Sequence, residues 1–190
     1  MTIEGEPQLD PVKKTEEFMA REFKKHPHYS FDDWTVMRDH SLKVRDLAMQ
    51  ISEGMSIDPV VVGIGALLHD IGKTYEADSE TLHKNHEDFN FPVSESFLGT
   101  LPVTDDQREK IKSILEHKSD SVEMRIIEDA DGLALYADKR LYMLFIKWAR
   151  ENSLDDAIQR KLSKIDRLHF QKSKEMGEEW LKQMRIDWEV

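Results

Sequence analysis

A chain of 190 residues, 39% of them hydrophobic, is long enough to bury a sizeable core and is read as a single domain over 1–190. The absence of cysteine excludes a disulfide framework and a thiolate zinc site, so any metal must bind through nitrogen and oxygen. A net charge of −11 with a pI near 5.2 opposes binding to nucleic-acid polymers or anionic membranes, because no basic face is available to release counterions. The lead-in Met1 to Pro11 carries acids and no base, and the longest apolar run, Val60 to Leu68, is too short to span a bilayer, which predicts a cytoplasmic protein.

Asp10-Pro11 caps a helix running to about Lys25, with Val12, Phe18, Met19 and Phe23 on its apolar side, and His26-Pro27-His28 breaks it. Ser30 to about Met55 reads as a second helix. Val36, Met37, His40, Val44, Leu47, Ala48 and Ile51 mark its buried face, and His40 sits in the middle of that stripe. Asp58-Pro59 then opens an apolar helix, buried nearly all round, that ends on His69-Asp70, with Gly72 expected to stop it by taking positive φ. The short turn between these two helices lets them lie antiparallel, which brings His40 and His69 to similar heights.

Thr74 to Asp88 has no apolar period and reads as a loop near the site, and a helix is expected from around Pro92. Thr104 caps the next helix, which ends at His117. Val122 to Tyr136 follows, with Met124, Ile127, Asp131 and Leu135 on one stripe, so that Asp131 is an acid facing a core. Lys139 to Ala149 is strongly apolar and closes the bundle. From Leu154 onward Ile158, Leu162, Ile165 and Leu168 make a narrow seam on a charged helix, followed by Met176, Trp180, Leu181 and Met184. No stretch alternates as a strand does, so the fold class is all-α.

The residues with chemistry are His40, His69-Asp70 and Asp131, with His86 and His117 between the last two. Two imidazoles and two carboxylates suit a divalent ion such as Mn, Fe, Mg, Co, Ni or Zn and leave positions open for water and substrate. Such an ion acidifies its water and neutralises a phosphoryl oxygen, the pair of effects that phosphoester hydrolysis needs. Gly72-Lys73-Thr74 is not a P-loop, since Leu67 stands where the first glycine is required and a helix precedes it.

His40 in an amphipathic helix, the run His69-Asp70-Ile71-Gly72-Lys73, and Asp131 within Glu128-Asp129-Ala130-Asp131-Gly132-Leu133 together resemble the HD-domain superfamily. The resemblance implies an HD helical bundle with additional N- and C-terminal helices and a metal-binding core at about 30–150. It implies His40, His69, Asp70 and Asp131 as metal ligands, and His86 and His117 as the extra ligands of members with two metals, bridged by Asp70. His83 is the alternative to His86. The activity implied is metal-dependent phosphohydrolysis, by a phosphomonoesterase or phosphodiesterase, of a small phosphorylated substrate such as a nucleotide. Asp70, or a hydroxide on the metal, would accept a proton, and Lys73 would bind or steer the phosphate as a point charge. Two other readings are a di-iron oxygenase of the HD type, which would use the same six ligands, and a non-catalytic metal-binding module. In the latter, the C-terminal helix with Trp180 and Trp188 would be a partner or homo-oligomer surface. The Glu-Asp pair of alarmone-hydrolysing members and the Gly-Tyr-Pro signature of cyclic-dinucleotide members are both missing.

Overall fold

The computed structural model describes residues 10–26, 33–151, 158–159 and 162–187. Among them every regular element is helical: α1 (Pro11–Lys25), α2 (Thr35–Ile51), α3 (Pro59–Leu68), a 3₁₀ turn (Ile71–Thr74), α4 (Ser79–Asn85), α5 (Glu87–Leu98), α6 (Asp105–Leu115), α7 (Val122–Ala134), α8 (Lys139–Glu151), a second 3₁₀ turn (Ser163–Arg167) and α9 (Gln171–Asp187). No helix of the described residues is long and apolar enough to cross a membrane.

The bundle is built around α3. Asp58 caps it by accepting from Val60 and Val61 N–H, and Pro59 presets the first turn. Val61, Val62, Ile64, Leu67 and Leu68 are fully buried, each contributing roughly 1.5–3 kcal/mol. α1, α2, α6 and α7 all pack on this helix. Gly65 lets the last two close in: a Cβ there would lie 2.8 Å from Ile127 Cδ1 and 3.3 Å from Ile114 Cγ2. A helix so enclosed delivers its C-terminal residues to the centre of the molecule.

Several boundaries differ from the expected ones. α2 ends at Ile51, short of Met55, where Gly54 turns at φ 80°. The expected loop from Thr74 to Asp88 contains α4, which Asp78 caps by accepting from Thr81 N–H and in which Leu82 is the buried residue among the side chains described; a helix with so few apolar residues has no period to read. α5 begins at Glu87 rather than near Pro92. Pro92 lies inside it, and the carbonyl it fails to pair belongs to the exposed Asp88. In the C-terminal part residues 158–159 and 162 are helical, the second 3₁₀ turn follows, and α9 begins beyond Leu168, which enters the main core. The seam residues Ile158, Leu162, Ile165 and Trp180 pack on the same chain, beside α8. Residues 1–9 of the lead-in, Pro27, His28, Ser30, Leu154 and Trp188 lie outside the described residues, as do the side chains of His83 and Met184.

Candidate metal centre

α3 stops at Leu68, and His69 and Asp70 form the turn leading into Ile71–Thr74. Positive φ at Gly72 is not observed. Among the described residues only Gly54 and His117 have it. Gly72 is required for a different reason, because a Cβ on it would sit 2.0 Å from the carbonyl oxygen of His86 and 2.9 Å from Asn90 N. The close approach is held by Asn90, fully buried, whose Oδ1 accepts from Gly72 N–H at 2.8 Å and whose Nδ2 donates to the carbonyl of His69 at 2.5 Å. One side chain thus ties the His-Asp turn to α5 and brings His86 alongside.

The His69 ring is oriented by its own helix. Nδ1 lies 2.7 Å from the Ala66 carbonyl, so Nδ1–H donates there and the lone pair sits on Nε2. Nε2 is buried and has no hydrogen-bond partner. Burial pushes the imidazole below its ordinary pKa, against the opposing pull of Asp70 and Asp131. A neutral, enclosed and unsatisfied nitrogen is costly unless something fills the space it faces.

Around it, His40 Nε2 lies 3.3 Å from Asp131 Oδ1 and 3.5 Å from Asp70 Oδ2. His69 Nε2 lies 3.6 Å from Asp70 Oδ2 and 3.9 Å from Asp131 Oδ1. His40, His69 and Asp131 offer ligand atoms within 4.8 Å of one another, close enough to hold a metal ion. Asp70 is nearly enclosed. Burial, the largest single influence, pushes its carboxyl up, but the Lys73 ammonium 2.6 Å from Oδ2, together with His69 and His86, outweighs it and holds the carboxyl well below the usual carboxylate range. The two aspartates of α7 face different surroundings. Asp129 is buried elsewhere, accepting from His169 and Phe170 N–H at 2.8 and 3.1 Å, while Asp131 faces His40.

His86 approaches from the other side, its Nε2 3.1 Å from Asp70 Oδ1 and its Nδ1 3.2 Å from the Leu82 carbonyl. His117 stands just past α6 with φ 52°, where His117 N–H bonds Ile114 and Lys118 N–H bonds Ser113. That is a Schellman termination, with histidine at the position glycine usually takes. Its Nδ1 is 3.8 Å from Glu87 Oε2.

One cavity of about 730 Å³ is lined by all seven residues expected at the site, His40, His69, Asp70, Lys73, His86, His117 and Asp131. It is also lined by groups the sequence did not point to. Lys164, from the second 3₁₀ turn, contacts Asp131 Oδ2 at 2.5 Å, and Arg167 lies on the same wall. Leu141, Phe145 and Trp148 of α8 form an apolar side. The only hint of the latter was the strongly apolar character of α8; Lys164 and Asn90 carried no signal at all. Arg125 of α7 pairs with Asp120.

The HD domain family pattern matches residues 37–171. No curated protein matches the sequence. Among solved structures, the chain is similar to an HD-superfamily hydrolase from Bacillus thuringiensis, at 17% identity over 94% of this chain and 97% of that one, with a TM-score of 0.63. It is similar to YpgQ of Bacillus subtilis in complex with ADP, at 20% identity over 93% of this chain and 94% of that one, with a TM-score of 0.64. A predicted HD-superfamily hydrolase from an uncultured Thermotogales bacterium is also similar, at 18% identity over 90% and 92% of the two chains, with a TM-score of 0.58. At these identities the structures speak for the fold, and the family pattern, which covers most of the sequence and the turns that carry the site, speaks for descent. The chain belongs to the HD domain family.

Proposed function

We propose that the chain is a metal-dependent phosphohydrolase, a phosphomonoesterase or phosphodiesterase acting on a small phosphorylated substrate of the nucleotide class. The observation that carries this reading is His69 Nε2, buried, neutral and unpaired, facing His40 and the carboxylates of Asp70 and Asp131. The donor set fits a divalent ion, which His40, His69, Asp70 and Asp131 would hold. When bound, such an ion supplies an acidified water and charge for the phosphoryl oxygens. Asp70, ionised and nearly enclosed, accepts the proton of the attacking water, and Lys73 binds phosphate as a point charge. The cavity volume is within the range of small-molecule sites, and its apolar wall on α8 suits the organic part of a nucleotide. The ADP bound by YpgQ supports the same substrate class.

The proposal includes a second metal. Asp70 turns Oδ2 toward His40 and His69 and Oδ1 toward His86, an arrangement suited to a bridge. His86 sets one ring nitrogen on the Leu82 carbonyl and turns the other to Asp70 Oδ1, away from the oxygen that faces His40 and His69. His117 occupies a left-handed position that costs it about 1 kcal/mol, a strain of the kind that functional sites retain.

Metal analysis with a phosphoester panel tests both parts. His69→Ala and Asp70→Ala are expected to abolish metal content and turnover together, and His86→Ala to reduce the stoichiometry from two toward one. Turnover that persists in both of the first two variants after the metal is gone would refute hydrolysis by this centre. Two irons per chain with an optical signal and no phosphoester turnover would favour the di-iron oxygenase.

A further inference from the structure

We infer that Lys164 is a substrate-binding residue that holds a phosphoryl oxygen in the cavity it shares with Lys73, an assignment that rests on the phosphohydrolase reading. The contacts run as a row: Lys73 on Asp70 at 2.6 Å, Asp70 and Asp131 on either side of His40 at 3.5 and 3.3 Å, and Lys164 on Asp131 at 2.5 Å. The two ammonium groups are the first and last members of this run of contacts, and both line the same cavity.

Lys164 is aimed by the fold. The turn that carries it is fastened to α7 by Asp129, which accepts two backbone N–H groups just beyond the turn, and by Leu168, which is buried in the main core. Between these anchors the aliphatic stem passes over Gly132, where an added Cβ would lie 3.8 and 3.9 Å from Lys164 Cβ and Cδ. A lysine with no inward role would extend to water and keep its rotamer freedom; this one lays its stem on α7 and turns its head inward.

Charge balance indicates what it does there. Asp131 turns Oδ1 toward His40 and His69 and Oδ2 toward Lys164, so the ammonium sits beside the ligand cluster without occupying its centre. Lys73 and Lys164 each offset one carboxylate of the centre, Asp70 and Asp131, so that the charge of any divalent ion held there is left to attract an anion. Removing Lys164 takes away one of these two positive charges. The chemistry recognised is thus an anionic phosphate, contacted by both ammonium groups.

The test is calorimetric titration of the manganese-loaded protein with orthophosphate, alongside manganese affinity and KM and kcat for a hydrolysed phosphoester. Lys164→Met keeps the stem and removes the charge. It is expected to weaken orthophosphate binding and raise KM by about tenfold or more, while manganese binds at least as tightly as in the wild type and the melting temperature holds. Lys164→Arg should recover most of the phosphate affinity, and Lys164→Gln provides the same comparison if the methionine variant does not fold. Orthophosphate affinity within twofold of wild type, or a loss explained by lost manganese, would overturn the assignment by leaving Lys164 as a counter-ion of Asp131. A wild-type protein that binds orthophosphate through Lys164 but hydrolyses no phosphoester would support the subsite while refuting the phosphohydrolase reading.

Discussion

The two carboxylates of the centre are built in opposite ways. At the Asp70 end the imidazole, the acid and its cation come from one run, His69 to Lys73. The 3₁₀ turn stacks residues three apart, so Lys73 falls back onto Asp70 without help from the rest of the chain. At the Asp131 end the acid lies mid-helix in α7, and its cation comes from the far side of α8 through a turn that a second acid, Asp129, fastens in place. Local geometry makes the first end; tertiary anchoring makes the second.

If the two ends are held independently, they should be separable by mutation. The largest effect is expected from Gly72→Ala, because its new Cβ must displace the backbone of His86. A loss of about 3 kcal/mol or more corresponds to a melting temperature lower by roughly 6–12 °C. Histidine NMR signals should show His86 displaced while the Asp131 end is unchanged. A melting curve like that of the wild type would show that the close approach is not maintained.

Asp129→Ala attacks the other end. It leaves the His169 and Phe170 N–H groups without their acceptor and should cost about 1–3 kcal/mol by urea denaturation. The orthophosphate affinity attributed to Lys164 should fall with it, although Lys164 itself is intact. Retained affinity would mean that the turn is held by Leu168 alone.

The smallest effect has the opposite sign. His117→Gly relieves the left-handed strain and should stabilise the apo-protein by about 1 kcal/mol, while metal stoichiometry falls toward one. A glycine variant no more stable than the wild type would remove the argument that His117 is kept at the expense of stability.

Much of the fold follows from patterns within single elements. The Asp58-Pro59 start, the all-apolar run and the His-Asp pair defined α3 and its polar end, and apolar spacing put His40 and Asp131 on inward faces. Where spacing carried no information the reading failed. The sequence of α4 reads as a loop because it has no apolar period, and Gly72 provides room for the backbone of His86 rather than a left-handed φ.

The sequence by itself therefore determined an all-helical chain with an imidazole-carboxylate pair at the end of its most buried helix. Local propensity, capping and periodicity act over a few residues, and these features need nothing more. Only the tertiary structure decided that Asn90 ties that pair to His86, that Asp129 fastens a turn while Asp131 faces the centre, and that Lys164 completes the row. Those contacts join residues far apart in the chain, and their loop-closure cost is offset only when the whole core packs together, so no local pattern announces them.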